Sequence, residues 1–234
     1  MIHPSHRIAP IFLLVTFVVA LSSGCATARR SVESNQVHVL HEGYVRPIEG
    51  REFVPGATPD GAREVGSTIT LVLGPEIVLV ADPGMTTGPA WASTLAKMRD
   101  LGVRPRDVTH VFISHHHPDH ITRLGVFPNA KIVDHWGYYE EDIWSDHPDE
   151  AEVAPGIRVF RTPGHTHEDA TLVIETPDGV YALTHVWWMP GYEPAQDPLA
   201  EDPAELEVSR KKILEIADWI VPGHGPAYRN TRKP

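Results

Sequence analysis

Apolar positions along the chain form short runs, separated by turns and by two stretches with helical spacing. Runs at residues 69–73 and 77–80, joined by the turn-forming residues 74–76, predict a β-hairpin. Further short strands are predicted over residues 108–113, 131–133, 156–160, 171–175, 180–184 and 219–221. Most of these runs end at glycine, proline or a polar residue, which is typical of short strands in a globular domain.

Two segments have the three- and four-residue apolar spacing of an amphipathic helix. Residues 90–101 form the first, and Gly102 is placed to end it. The second begins with Asp202 as N-cap and Pro203 in the first helical position. The inward positions are Trp91, Leu95 and Met98 in the first helix and Leu206, Ile213, Leu214 and Ala217 in the second. Because strands and helices are interleaved, the predicted class is α/β or α+β with a sizeable sheet.

The first residues have the layout of a secretory signal. Ile11 to Leu21 is almost purely apolar, with Arg7 before it and a small-residue run at 22–24 after it. This apolar core is too short for a comfortable transmembrane helix, which needs about 20 residues. We therefore expect an exported protein.

Cys25 is the single cysteine, so no disulfide can form within the chain. Its position resembles that of a bacterial lipoprotein signal, in which the cysteine becomes the lipidated first residue. Ser22 departs from the aliphatic residue usual there, and residues 26–28 also suit ordinary signal cleavage, so a soluble exported protein or an uncleaved anchor remain as alternatives. The predicted organisation is a signal peptide at 1–25, a tether at 26–45 and one domain at 46–234. The expected location is the cell envelope, by a lipid anchor in a bacterial membrane, or secreted or periplasmic if Cys25 is removed.

Composition narrows the class of function. The chain has 234 residues, 41% of them hydrophobic, which suits one domain with a real core. A formal net charge of −11 argues against nucleic acid or an anionic membrane surface as the main partner. The expected partner is a small-molecule substrate. The oligomeric state is left open. The unusual feature is the presence of 15 histidines.

Several histidines follow directly on predicted strands, where a rigid scaffold presents functional groups. His115, His117, Asp119 and His120 follow the strand that ends near residue 113, and two further histidines, His165 and His224, follow later strands. In an extended segment alternate side chains share a face, so His115 and His117 can bind one ion. Imidazole nitrogen and carboxylate oxygen are ligands that zinc accepts. The pattern therefore predicts a metal site, and His116 is expected to point away from it. His6, His110, His135 and His147 have no motif around them and are interpreted as ordinary.

The segment from Ser114 to His120 resembles the T/S-H-x-H-x-D-H signature of the metallo-β-lactamase superfamily. Residues 82–84, 162–166 and 220–225 resemble its other motifs, in the same order. The resemblance implies a four-layer αββα sandwich with the metals at one edge of the two sheets. It implies that His115, His117 and His165 hold one metal and that Asp119, His120 and His224 hold a second. Asp82 would orient a ligand imidazole; the alternative is a turn-forming aspartate before Pro-Gly.

One position departs from the family pattern. The family usually supplies a metal-bridging aspartate after the third-histidine motif, and His185 stands there. A neutral imidazole offers one lone pair, so His185 can bind one metal but cannot bridge two as a carboxylate does. Two expectations follow: a second site of reduced affinity, or a pair of metals bridged by water alone. A position outside the ligand set is the alternative for His185.

The expected activity is metal-dependent hydrolysis of a small acyl substrate, such as an ester, lactone, thioester or lactam. One or two zinc ions would activate water, and Asp119 would orient that water and handle its proton. Aromatic residues could form an apolar wall of the substrate site, with packing in the core as the alternative for each. The candidates are Trp136, Tyr138, Tyr139, Trp187, Trp188 and Tyr192. Two alternatives remain, an iron-dependent oxidoreductase of the same fold and a non-catalytic metal-binding envelope lipoprotein.

Overall fold

The computed structural model describes residues 32–48 and 63–234. In chain order the strands are β1 (Gln36–His41), β2 (Tyr44–Pro47), β3 (Arg63–Gly66), β4 (Ile69–Leu73), β5 (Val78–Ala81), β6 (His110–Phe112), β7 (Lys131–Val133), β8 (Gly137–Glu140), β9 (Ile143–Asp146), β10 (Ala151–Ala154), β11 (Ile157–Arg161), β12 (Ala170–Thr176), β13 (Gly179–Thr184), β14 (Trp219–Pro222) and β15 (Tyr228–Arg229). The α-helices are α1 (Gly88–Asp100), α2 (Pro118–Ile121) and α3 (Pro203–Ile216), with 3₁₀ turns at Pro105–Asp107 and Leu124–Val126.

Two sheets face each other. The first has seven strands in the order β1-β4-β5-β6-β7-β8-β9, and the second has six in the order β10-β11-β12-β13-β14-β15. β2 and β3 form a separate antiparallel hairpin. The inner faces meet in one apolar cluster, to which Val72, Leu79 and Phe112 contribute from the first sheet and Leu172 and Leu183 from the second.

Each sheet is covered on its outer face by a helix. Met98 of α1 packs with Leu71 and Val80 on the first sheet, and Leu206 and Ile213 of α3 pack against the second. β4 is buried at all five positions, and its alternate side chains enter the inner and outer clusters, as expected of a strand covered on both faces. The layers therefore run helix, sheet, sheet, helix, which confirms the αββα expectation.

The predicted start of the second helix and the predicted end of the first are both present. Asp202 caps α3, its Oδ1 accepting from the backbone nitrogens of Ala204 and Glu205, both at 3.0 Å, and Pro203 stands in the first turn. Thr87 caps α1 by accepting from the nitrogen of Ala90 at 3.3 Å. Gly102 follows α1 with a φ of 78°, a conformation that glycine adopts without strain.

The predicted tether at 26–45 is wrong at its carboxyl end. Residues 36–41 are strand β1, which pairs antiparallel with β4, and Leu40 is buried in the outer core. Val37 and Val39 pack against the inner core. The domain therefore begins before residue 46. The predicted signal peptide at 1–25, with Cys25 and His6, lies outside the described residues. Within the part of the chain that the structure describes, no helix is long and apolar enough to span a membrane.

Candidate metal centre

The predicted ligands lie at one edge of the sandwich because their strands end there. β5 and β6 are parallel neighbours, as are β13 and β14, and β11 is antiparallel to β12, which is antiparallel to β13. The carboxyl ends of β5 and β6 therefore lie at one edge of the first sheet, and those of β11, β13 and β14 lie at one edge of the second. The backbone joins the two sheets there, since the nitrogen of Ala170 donates to Ser114 O at 2.8 Å and that of Thr68 to Gly223 O at 2.7 Å.

One group of ligand atoms comes from His115, His117 and His165. Nδ1 of His117 lies 2.9 Å from Nε2 of His115 and 3.2 Å from Nε2 of His165. His115 and His165 are buried, whereas His117 is partly exposed at the mouth of the cleft. All three ligand atoms lie within 4.8 Å of one another, close enough to bind a single ion.

A second group comes from Asp119, His120 and His224. Oδ2 of Asp119 lies 3.4 Å from Nε2 of His120 and 3.6 Å from Nε2 of His224. Pro118 is the first residue of the one-turn helix α2. Because of this turn, the side chains of Asp119 and His120 leave the backbone in different directions from that of His117. The structure thus brings together the two triads that the sequence predicted.

His185 lies between the two triads. Its Nε2 is 3.2 Å from Nε2 of His224, and its ring centroid is 4.3 Å from those of both His115 and His165. It also groups with His115 and His120 as a third set of convergent ligand atoms. A Cβ on Gly223 would lie 2.1 Å from the ring of His185, so the glycine leaves the space that this imidazole occupies.

In three of the predicted ligands, the Nδ1 of the imidazole has an acceptor of its own. Asp82 Oδ2 lies 3.0 Å from Nδ1 of His120, Asp197 Oδ2 lies 2.7 Å from Nδ1 of His165, and Gly66 O accepts from Nδ1 of His224 at 2.8 Å. A proton held at Nδ1 by such an acceptor leaves the lone pair of Nε2 directed into the cluster, which is the form that binds a metal.

Asp82 occupies the place that the sequence predicted for it. Besides facing His120, its Oδ1 accepts from the backbone nitrogen of Ser114 at 2.7 Å, and its own carbonyl accepts from Ser67 Oγ at 2.9 Å. Its φ of 49° is uncommon for a non-glycine residue. The surrounding bonds hold the strained backbone, so the carboxylate is fixed against the imidazole.

Asp197 was missed from the sequence. It is buried, and its Oδ2 accepts from Trp188 Nε1 at 2.8 Å as well as facing His165. It stands in a loop between Gln196 and Pro198, far along the chain from its partner, and no motif marks it. Asp169 was also missed. It is fully buried, accepts from the nitrogen and hydroxyl of Thr166 at 2.7 and 3.0 Å, and lies 4.0 Å from Nδ1 of His115.

Burial keeps most of these imidazoles neutral. It holds the pKa of His115 and the pKa of His185 well below the ordinary value, and it lowers the pKa of His224 to about 4. Burial would also lower the pKa of His120, but the charges of Asp82 and Asp119 outweigh it and raise that pKa to about 10. Burial raises the pKa of Asp169 to about 7. For Asp119, burial is outweighed by the bond and charge of His120, so its pKa is well below the ordinary range.

Four further histidines of the described residues lie outside the cluster. His116 points away, as expected: its Nδ1 is 2.9 Å from Glu168 and its Nε2 is 3.2 Å from Asp134. His135 and His147 are buried, with ring nitrogens on backbone carbonyls, and His110 is half-buried in β6. These contacts are those of ordinary structural histidines.

The residues present fit a divalent cation. Neutral imidazoles and one carboxylate are the donor set that such ions accept. Two ring nitrogens of these histidines, Nε2 of His120 and Nδ1 of His185, are buried without a hydrogen-bond partner. A buried polar atom without a partner is costly unless something else binds it, and a cation accounts for the Nε2 of His120.

The cleft over the ligands has a volume of about 480 Å³. Its floor is His117, Asp119, His165, His185 and His224, and its apolar walls are Val45, Val65, Met85, Trp188 and Leu199. Of the aromatic residues predicted to wall it, only Trp188 does so. Trp187 is in the core beneath α3, and Tyr138 packs against the core between the sheets.

The similarities of the chain to known proteins agree with this geometry. Metallo-beta-lactamase domain-containing protein 1 of Xenopus laevis is 37% identical over 205 residues, covering 83% of this chain and 82% of that protein. The chain belongs to the metallo-β-lactamase superfamily. The family model described as Metallo-beta-lactamase superfamily matches residues 62–150. The human protein of the same description is 38% identical, and the match spans 59% of its length.

Two further similarities concern proteins named as lactonases or lactone hydrolases. An N-acyl homoserine lactonase of a Bacillus species is 30% identical over 94 residues, covering 34% of this chain and 38% of that protein. The solved structure of an N-acyl homoserine lactone hydrolase, with N-hexanoyl-L-homoserine at its catalytic metal centre, superposes with a TM-score of 0.59 at 20% identity, covering 83% of this chain and 94% of that one. Superfamily membership and the two ligand groups support a metal-dependent hydrolase.

Proposed function

We propose that this protein is a zinc-dependent hydrolase that cleaves a small acyl substrate: an ester, lactone, thioester or lactam. The observation that carries the proposal is the convergence of two ligand triads on the floor of one cleft with apolar walls. The ligands are proposed to be His115, His117 and His165 for one ion and Asp119, His120 and His224 for the other, with His185 between them. The similarity to N-acyl homoserine lactonases supports lactones as the first substrates to test.

A bound zinc ion would lower the pKa of water and polarise the scissile carbonyl. The chain's own groups then direct the reaction. Asp119, on the floor of the cleft between His120 and His224, orients the attacking water and accepts its proton. The water oxygen bonds to the carbonyl carbon, the bond from that carbon to the leaving oxygen, sulfur or nitrogen breaks, and the proton passes to the leaving group. Val65, Met85 and Trp188 exclude bulk water from the acyl side.

His185 decides how many ions the cluster holds. Its imidazole stands where a shared carboxylate would contribute one negative charge, so the second ion is held more weakly. Elemental analysis of purified protein, with His185→Asp beside it, tests this. We expect zinc, with a second equivalent that binds more tightly in the variant. Iron in place of zinc would favour the oxidoreductase, and equal metal content in both proteins would remove His185 from the ligand set.

A panel of activated esters, lactones, thioesters and β-lactams tests the acyl assignment. We expect turnover of at least one class that depends on metal and is lost when the metal is chelated. Rates no higher than those of free metal for every class would contradict the hydrolase and favour a metal-binding protein without turnover.

We further propose that the protein is exported and held at the cell envelope by lipid on Cys25, with the domain facing its substrate outside the cytoplasm. The apolar run before Cys25 supports this. Cys25→Ser should move the protein from the membrane fraction to the soluble fraction. A mature protein that begins at residue 29 with no lipid would contradict the anchor.

A further inference from the structure

A second cavity adjoins the metal cleft. Its volume is about 520 Å³, and it lies between the β2–β3 hairpin and the start of α1. The two cavities share Arg63, Val65 and Met85 as lining residues. We call this second cavity the side groove. A substrate whose reacting carbonyl sits over the ligands can therefore extend past Val65 and Met85 into it.

The side groove is cationic in a protein whose net charge is −11. Arg123 lines it, and no acidic side chain in the described ranges, 32–48 and 63–234, forms an ion pair with this arginine. The groove also contains Glu64, but that carboxylate is paired with Arg46. Among the residues that the structure describes around the groove, none therefore neutralises the charge of Arg123.

Arg123 is also held in place. Its Nη2 donates to Thr86 O at 3.0 Å, its guanidinium lies 4.7 Å from the ring centroid of Trp91, and its backbone nitrogen donates to Pro83 O at 2.8 Å. A guanidinium fixed in this way loses little entropy when an anion binds to it. Thr86, Thr87 and Thr122 line the same groove and add polar side chains to it.

We propose that the side groove binds an anionic end of the substrate, so that the preferred substrate is an acyl compound with a carboxylate remote from the scissile carbonyl. Guanidinium and hydroxyl groups are the natural partners of a carboxylate. The apolar residues Val65 and Met85, between the groove and the ligands, suit the methylene chain that joins the two ends. The proposal rests on the proposed hydrolase and specifies which acyl substrates it selects.

The test compares pairs of activated esters that differ only at the remote end, a free carboxylate in one and its methyl ester in the other, over a series of chain lengths. We measure kcat/KM for both esters with the full-length, zinc-loaded protein. Wild type should prefer the carboxylate by about tenfold or more, the effect of a hydrogen bond between charged groups. In Arg123→Gln this ratio should fall toward one, because the amide keeps a donor for Thr86 O but loses the charge.

Arg99→Gln is the matched control, since this exposed arginine lies at the other end of α1 and its ion pair is with Asp100. It should keep the wild-type ratio. Arg123→Lys, which retains the charge, should keep part of it. A ratio that is the same in wild type and Arg123→Gln would overturn the proposal while leaving the hydrolase intact. A remote phosphonate preferred over the carboxylate would overturn the choice of carboxylate.

If neither ester is hydrolysed, the proposed hydrolase activity is contradicted. Calorimetry then tests separately whether the side groove binds an anion. The probes are a dicarboxylate and its monomethyl ester, titrated into wild type and Arg123→Gln. The groove proposal is supported if the dicarboxylate binds more tightly than its monomethyl ester to wild type but not to Arg123→Gln. It is rejected if wild type binds both probes equally.

Discussion

At the scale of single residues, Asp119 is the carboxylate of the cluster that faces the cleft. Its Oδ2 lies 3.4 Å from Nε2 of His120 and 3.6 Å from Nε2 of His224. The lowered pKa of this carboxyl group keeps it ionised at neutral pH. Asp119→Asn removes the proton acceptor and should lower kcat by about 10²–10⁴. Asp142→Asn, an exposed change away from the cleft, is the control. Metal content is measured alongside, and near-normal turnover of the Asn variant would exclude Asp119 from proton transfer.

Asp197 acts through His165. Its carboxylate fixes the ring and the tautomer of that ligand, so Asp197→Ala should weaken metal binding by about 10–100-fold. Asp197→Asn, which keeps an acceptor but loses the charge, should fall between wild type and Ala. Competition with a chelator of known affinity measures the effect. Unchanged affinity in the Ala variant, with the melting temperature of the metal-free protein also unchanged, would contradict a positioning role.

The sequence alone predicts the metal ligands but not most of the groups that hydrogen-bond to the ligand imidazoles and hold them in place. His115, His117, Asp119 and His120 lie within six residues, so their grouping is a local property of one strand end. The pairing of Asp197 with His165 depends on the path of a loop 32 residues away, which no spacing encodes. The acceptor for His224 is a backbone carbonyl, that of Gly66, and any residue type provides one.

At the scale of elements, prediction succeeded where burial imposed a pattern. Strands such as β4 and β12 read as apolar runs because both of their faces are covered. β9 was missed because all four of its residues are exposed, so no periodicity marks it. β1 has alternating valines at 37 and 39, and its polar neighbours hid that period-two signal.

The corrected boundary at β1 predicts a difference between two shortened chains. A chain that begins at residue 46 lacks β1 and the first two residues of β2, which uncovers the edge of β4 and removes Leu40 from the core. It also removes the acceptor for Lys97 Nζ, which donates to Leu40 O at 2.7 Å and ties α1 to the sheet.

We expect the chain that begins at 46 to be less stable than one that begins at 32 by at least the burial of one large apolar side chain, about 1.5–3 kcal/mol. Urea unfolding of both metal-free proteins measures it. The chain that begins at 32 with Leu40→Ala separates the core contribution from that of the strand. Equal midpoints for the two chains would show that β1 contributes nothing to the domain.

At the scale of the whole molecule, the proposed metal ligands come from both sheets. His115 and His120 follow the first sheet, whereas His165, His185 and His224 follow the second. A metal bound by both sets therefore joins the two layers at one edge, which the unfolded chain cannot reproduce because its ligands are spread over about a hundred residues. Binding to the folded form alone must raise stability by mass action.

The melting temperature should therefore fall when the metal is removed. With free zinc at about 100 times its dissociation constant, the stabilisation is about 2.7 kcal/mol, or roughly 5–10 °C for a domain of this size. Stripping with a chelator should lower the melting temperature by this amount, and added zinc should restore it. His115→Ala with His224→Ala, which removes one ligand from each triad, should melt at one temperature with or without zinc. If wild type melts at the same temperature with and without zinc, the two triads do not bind a cation, and the hydrolase proposal is contradicted.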